Sequence, residues 1–333
     1  MIAARRYRAL LAALGLLVAA LFLASLLTGP ARIGIRDSLA ALLAGGEDML
    51  ALVMREVRLP RAILGLLVGA ALGMSGAALQ GFLRNPLAEP GLIGTSATAA
   101  LGAVLAIQTG LAAAFPLGLP LAALAGAAAS VGLVLLLAGP QGGSLALILA
   151  GIAISALAGA ATSLVLNLSP NPFAVNEIVF WMLGSLADRS MLHVWIVAPF
   201  MAAGFALLWP TRRALEALTL GEDAAASSGV SLARLRLMLA CGVAALVGGA
   251  TAVAGTVGFV GLVVPHVLRR AVGASPARLV PASALGGAAV VLAADIAVRL
   301  IAPEHDLKLG VLTALVGAPF FLHLILKTRR QGL

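Results

Sequence analysis

The sequence predicts an all-α integral membrane protein of about ten transmembrane helices in a single domain, and three observations lead there. The 333 residues are 62% hydrophobic and only 11% charged, with a mean hydropathy of +1.10. A soluble domain carries roughly 25% charged residues because its surface meets water; a chain with under half that share must turn much of its outside to lipid. The apolar residues fall into ten stretches, most of them near the roughly 20 residues that a spanning helix needs. The 38 glycines complete the pattern, since small residues let membrane helices approach closely.

Taken in order, the stretches are 9–28, 60–80, 92–108, 117–138, 145–168, 192–209, 236–256, 258–268, 278–301 and 308–326. Arg5, Arg6 and Arg8 precede the first, which is long enough to span and lacks a convincing cleavage site, so it reads as a retained helix. The eighth is too short to cross alone and is expected to be a partial helix packed inside the bundle. Residues 172–184 suit another short helix at the surface. Ten crossings put both termini on one side. With that side cytoplasmic, 14 of the 22 Lys and Arg residues lie inside, in agreement with the positive-inside rule. Arg32, Arg36, Arg55, Arg58 and Arg61 break the rule, because all five fall in or beside the first outer loop. A ten-residue likeness between 67–76 and 246–255, helices of opposite sense, fits either an inverted repeat of the transporter type or chance matching between Gly- and Ala-rich helices.

The net charge of +9 does not point to nucleic acid, because the arginines occur singly or in short groups between apolar stretches, as orienting charges do. Cys241 lies in an apolar run and reads as a packing residue. His193, His266, His305 and His323 lie on separate segments without ligand spacing, so no metal site is expected. No G-x-x-x-x-G-K-[ST] phosphate loop is present, and the two lysines, Lys308 and Lys327, follow nothing like one. The motifs H-E-x-x-H and G-x-S-x-G are also absent, which leaves little ground for an intramembrane enzyme.

Three segments carry functional information. The first runs from Arg58-Leu-Pro-Arg61 through Ser75-Gly-Ala-Ala-Leu-Gln80 to Arg84-Asn-Pro-Leu-Ala-Glu-Pro-Gly91 and Gly94-Thr-Ser96. Its prolines and glycine break the helix and leave a rigid turn, and irregular backbone in a membrane belongs against protein or a water-filled cavity. The second is 211–235, a polar insertion in which a short helix at 224–228 would end at Gly229. The third is the set of outer arginines, Arg58, Arg61 and Arg299, with Asp295 one helical turn before Arg299. Asp295 is either half of a structural ion pair with Arg299 or an intramembrane ion site.

These strings resemble the permease family of ABC importers for ferric siderophores, haem and vitamin B12. That family shows R-x-P-R, then G-A-x-L-x-x-S-G-x-x-x-Q, then N-P-L-A-x-P-x-x-L-G. Further likeness lies in Trp181-Met-Leu-Gly184, Leu220-Gly-Glu222, Gly258-Phe-Val-Gly-Leu-Val-Val-Pro-His266, Asp295-Ile-Ala-Val-Arg299 and Gly310-Val-Leu-Thr-Ala-Leu-Val-Gly-Ala-Pro-Phe320, so it covers most of 55–327. The resemblance implies the vitamin B12 permease-like fold of a type II ABC importer. It implies a homodimer in the cytoplasmic (inner) membrane, two ATPase subunits that bind ATP and Mg, an extracytoplasmic binding protein, and no cofactor on this chain. By position it implies docking of the binding protein at Arg58, Arg61 and Arg299, although headgroup contact is the plainer role for such arginines. An inner gate would lie at Asn85 and Leu87 with Gly142, Gly143 and Ser144, and the ATPase contact at Leu220, Gly221, Glu222, Ala225 and Gly229. The fifth and tenth helices would line the pathway at the twofold axis. Asp306-Leu-Lys-Leu-Gly310 departs from the family's E-L-P-x-G, and Ser96-Ala-Thr98-Ala from a more glycine-rich string. The cargo expected is a ferric siderophore first, then haem or cobalamin. The competing reading is an ion-coupled secondary transporter that uses Asp295.

Overall fold

The computed structural model describes residues 2–29, 34–44, 48–139, 143–301 and 307–330, and these are helical almost throughout. The helices are α1 (Ile2–Leu27), α2 (Ile35–Ala44), α3 (Met49–Phe82), α4 (Thr95–Gln108), α5 (Gly118–Ala138), α6 (Ser144–Asn167) and α7 (Pro172–Met182). They continue with α8 (Met191–Ala217), α9 (Glu222–Ser227), α10 (Leu232–Ala254), α11 (Val260–Arg269), α12 (Pro276–Ile301) and α13 (Leu309–Arg330). Each predicted stretch has its helix, and the short helix expected near 172–184 is α7. Eight of them are long and apolar enough to cross a bilayer. The other two are α4, with 14 residues, and α11, with 10; at 1.5 Å per residue they reach about 21 and 15 Å, short of the roughly 30 Å hydrocarbon core. The expectation of a full crossing at 92–108 is thereby corrected. Pro90–Ile93 form a 3-10 turn, and α4 begins only at Thr95.

Two helix boundaries have local causes. Pro60 lacks an N–H and its ring would strike the carbonyl four residues back; the stretch before it, Val53–Arg58, widens into a π-helix, the usual way a helix absorbs such an insertion. Helix α8 runs past its predicted end at 209 to Ala217 despite Pro210. Thr211 Oγ1 donates to the Leu208 carbonyl and Arg212 Nε to that of Trp209, both at 2.7 Å. Pro210 removes one backbone bond, that to the Ala206 carbonyl, and the two side-chain bonds brace the turn that contains it, so the helix continues past the proline.

Helices α3 and α10 form the centre and are buried along most of their length. They are also the helices that carry the two similar ten-residue segments. On α3, a side chain at Gly69, Gly73 or Gly76 would strike the backbone of Gly287, Ser283 or Gly261, so α12 and α11 lie against it in backbone contact. On α10, a side chain at Gly248 would strike Ala127 of α5, and α4 packs alongside. Each central helix leads through an irregular break into a short helix and then a long one: α3, α4, α5 and again α10, α11, α12. Each central helix packs against the short and long helices of the other set. Gly94 and Phe259, which start the two short helices, are both left-handed, with φ of 81° and 67°. The segments 67–76 and 246–255 thus lie on the two central helices, each followed by a break, a short helix and a long one, and each packed against the short and long helices that follow the other.

Gly73→Val should drive a branched side chain into the Ser283 carbonyl and cost on the order of 3 kcal/mol. Gly159→Val, at a position with nothing within 4 Å, should be neutral. Thermal unfolding of the two variants in detergent checks this.

Candidate functional site

At one end of the bundle, Asp295 is buried at 1% exposure between two guanidiniums. Arg61 donates from Nη2 at 2.8 Å and Nε at 2.9 Å to Oδ1, and from Nε at 3.1 Å to Oδ2. Arg299 Nη2 lies 2.8 Å from Oδ2, the i,i+4 neighbour of the same helix. Arg61 comes from α3, 234 residues away in sequence, so the carboxylate ties the ends of α3 and α12 together. Its oxygens are engaged by fixed cations and offer no open position to a transported ion.

The surrounding arginines do a second job. Arg299 Nη1 donates to the carbonyls of Ser25 at 2.9 Å and Thr28 at 2.7 Å, and Arg58 Nη1 to those of Leu26 at 3.0 Å and Leu27 at 3.3 Å. Arg55 Nη2 donates to the Leu42 carbonyl at 2.9 Å. These are carbonyls at the last turns of α1 and α2, which have no partner inside their own helix, and a cation there also meets the negative end of the helix dipole. Arg189, between α7 and α8, does the same for α10, with Nε 2.6 Å from the Val253 carbonyl; burial draws its pKa down and nearby Asp188 opposes that shift. Of the arginines in and beside the first loop, Arg55 and Arg58 thus have a physical cause in helix termination and Arg61 in the ion pair with Asp295, while Arg32 lies outside the described residues. These contacts also bear on the docking expected of Arg58, Arg61 and Arg299. Arg58 is 4% exposed, and the side chains of Arg61 and Arg299 are 18% and 9% exposed, so all three are turned into the bundle.

At the opposite end, the turn after α3 is fixed at several points. Arg84 is left-handed, with φ of 49°, and Asn85 Oδ1 accepts from Leu87 N at 2.9 Å. Asn85 is exposed and Leu87 half-buried. Gln80 Nε2 donates to the carbonyls of Ala88 at 3.3 Å and Leu262 at 3.2 Å, and Gln80 Oε1 accepts from Arg269 Nη2 at 2.6 Å. Glu89 Oε1 accepts from Phe259 N at 3.0 Å, capping α11, and Pro90 lies against Gly261. Gly76, also beside Gly261, stands six residues before the end of α3, or roughly 9 Å along the axis. The chain that leaves α3 therefore doubles back beside it, and the two short helices start next to each other within the bundle.

Leu83, Ile93, Leu147 and Ile148 line one small cleft, which brings the start of α6 to this turn. Gly143 is the extended residue before α6 and Ser144 its first residue, whereas Gly142 lies outside the described residues, as does Asp306. Lys308 Nζ stands 5.6 Å from the Phe180 ring, joining the foot of α13 to α7. Thr98 Oγ1 donates to the carbonyls of Gly94 and Thr95, both at 3.1 Å.

The polar segment 211–235 takes shape as the end of α8, a 3-10 turn, Leu218–Leu220, and then α9. The short helix begins two residues earlier than the composition predicts, at Glu222, and Gly229 closes it with φ of 89°. Gly221, with φ of 108°, separates the two pieces. Leu220 projects at 80% exposure, while Ala225 is fully buried and faces the bundle. Glu222 lies 4.0 Å from Arg236. The structure adds Gln80, Glu89, Arg269 and Glu216 to the working residues. Gln80 and Glu89 stood inside a motif, but the partners that tie them to α11, Leu262, Arg269 and Phe259, lie 182, 189 and 170 residues away.

Among the described residues, eight membrane-length helices and two short ones packed with the central pair make a multi-pass membrane protein. The chain belongs to the FecCD transport family, whose model matches residues 16–327. It is 37% identical over 286 residues to the hemin transport system permease protein HmuU of Yersinia pestis, covering 83% of this chain and 84% of that one. It is 36% identical over 322 residues to the vitamin B12 import system permease protein BtuC of Salmonella paratyphi A, covering 96% and 95%. A solved structure described as an inward-facing conformation of a metal-chelate type ABC transporter superposes with a TM-score of 0.83 at 32% identity, over 96% of this chain and 99% of that chain.

Asp295→Asn should leave Arg61 and Arg299 facing each other in a buried site, at a cost of about 3–5 kcal/mol. Adding Arg61→Met should recover part of that loss. Unfolding in detergent measures both; an ion-coupling carboxylate would instead tolerate Asn without loss of stability.

Proposed function

We propose that this chain is the permease subunit of an ATP-binding-cassette importer that carries a bulky metal chelate into the cytoplasm, a ferric siderophore first, with haem and cobalamin as the other members of the class. The likeness to the metal-chelate transporter over 96% of the chain is the observation that carries this reading. The working unit is a homodimer in the cytoplasmic membrane with both termini inside, two ATPase subunits beneath it and an extracytoplasmic binding protein above. ATP and Mg belong to the ATPase.

Two apolar helices support the dimer. Leu145, Leu149, Ile152 and Leu157 on α6, and Leu315, Val316 and Leu322 on α13, are exposed along one chain. Paired about a twofold axis, these helices make a wall with few polar groups, across which a large cargo passes without strong sites to hold it. Asn85 and Leu87, with Gly143 and Ser144, stand as the inner gate. Leu220, Gly221, Glu222 and Gly229 form the ATPase contact with Leu220 as its projecting apolar tip, and Ala225 anchors that piece from behind. Docking at the Asp295 end falls to the rim around Arg61, the most exposed of the three arginines, while Arg58 and Arg299 hold the helix ends that shape the rim. An ion-coupled mechanism through Asp295 has less support, since both its oxygens are taken by arginine.

The test is uptake by the chain reconstituted with a cognate ATPase and binding protein, offered a ferric siderophore, haemin and cobalamin in turn. Vanadate-sensitive accumulation of one of them is expected. Accumulation driven by a proton or sodium gradient without any ATPase would sink the proposal.

A further inference from the structure

At the end of the bundle opposite Asp295, three helices converge on one side chain. Glu216, in the last turn of α8, accepts through Oε2 from Ser275 Oγ at 2.7 Å and from the backbone N–H of Ala277 at 3.0 Å. Pro276 opens α12 and has no N–H, so Ala277 is the first donor that the helix leaves unpaired. The carboxylate also meets the positive end of a 26-residue helix. Beside it, a side-chain carbon at Gly81 of α3 would touch Pro276 Cβ at 3.4 Å and Leu215 Cδ1 at 3.5 Å. Helices α3, α8 and α12 therefore meet within one residue of Glu216, at the root of the segment 218–229.

We infer that Glu216 is the positioning residue that passes movement of 218–229 to the paired helices α3 and α12, an inference that rests on reading 218–229 as the ATPase contact. That segment is stiff in itself, with the N–H groups of Gly221, Ala225 and Val230 donating to the carbonyls of Leu218, Gly221 and Ala225 at 3.0, 3.0 and 3.1 Å. It is joined to α8 by the Leu218 N–H on the Ala214 carbonyl and by Thr219 Oγ1, which donates to the Glu216 carbonyl at 2.7 Å. A displacement of its tip therefore moves the end of α8. Helix α12 is in backbone contact with α3 at Gly69 and Gly73 and bound to it at the far end through Asp295, so a push on the start of α12 shifts the two as one body. From α3 the displacement reaches the turn at Asn85 and Leu87, which Gln80 holds. Without Glu216, what α8 and α12 bring together here is apolar, Leu215 and Pro276 beside Gly81 of α3, and such a surface has no fixed direction and can slide. Two directed hydrogen bonds to a helix start prevent that sliding. The glutamate is itself exposed, so its contribution to folding is small and its placement is mechanical.

The experiment uses the full assembly of this chain with its ATPase and binding protein in liposomes. A Cys241→Ser, Leu87→Cys background reports at position 87 through a membrane-impermeant maleimide, with and without ATP and vanadate. The quantity read is the ATP-dependent change in labelling at position 87 per ATP hydrolysed. Glu216→Leu, which removes the acceptor, should lower it about fivefold to tenfold, while Glu216→Gln, which keeps an acceptor oxygen for both donors, should retain most of it. Ser275→Ala should lower it less, and the double variant with Glu216→Leu should lose no more than Glu216→Leu alone, because the two residues share one bond. A ratio in Glu216→Leu equal to the parent's overturns the inference alone, as do losses that multiply in the double variant. A parent assembly that hydrolyses ATP with no change at position 87 overturns the coupling reading and the inference with it. A mere helix cap would lower the melting temperature without moving the ratio.

Discussion

Asp295 is buried in a membrane-length helix, and two guanidiniums are brought to its carboxylate from different parts of the chain. Arg299 comes from the same helix and Arg61 from α3, each with a nitrogen 2.8 Å away. Bringing α3 near enough for that contact requires the two helices to touch backbone to backbone, which Gly69 and Gly73 allow against Gly287 and Ser283. Charge and close packing thus require each other: without the glycines the arginine would not reach, and without the ion pair the glycines would hold the helices by dispersion alone. The remaining helices are laid around this pair, and the arginines near it also supply donors to the carbonyl ends of α1 and α2.

A second constraint follows from the interrupted backbone. Lipid offers no hydrogen bonds, so each break in a helix must find donors and acceptors in the protein. The turn after α3 finds them in Gln80 and the start of α11 finds one in Glu89. Because the same few side chains serve both breaks, the two short helices are coupled at their starts. The Glu216 junction has the same character at the foot of α8 and α12.

Much of this was legible in the residues. Composition required a membrane protein, the apolar stretches located every spanning helix, and Pro86, Pro90 and Gly91 marked the turn as irregular. The spacing of Asp295 and Arg299 placed them on one helical face. The reach of α8 was misjudged, since Pro210 looks like a stop until Thr211 and Arg212 are seen to bond back to Leu208 and Trp209. The third stretch looked like a full crossing, because its hydropathy does not report that residues 90–93 turn before α4 begins.

Local sequence determined what each segment is: its hydrophobicity, its breaks, its caps and the family to which the chain belongs. Tertiary structure alone decided which distant residues share a charge or a hydrogen bond. Arg61 with Asp295, Glu89 with Phe259, Gln80 with Arg269 and Glu216 with Ala277 are separated by 234, 170, 189 and 61 residues. Helical periodicity reaches only three or four residues along the chain, so no pattern in the sequence carries such pairings. They are set by the order in which long helices pack and by the demand that each buried polar group find a partner where no water can supply one.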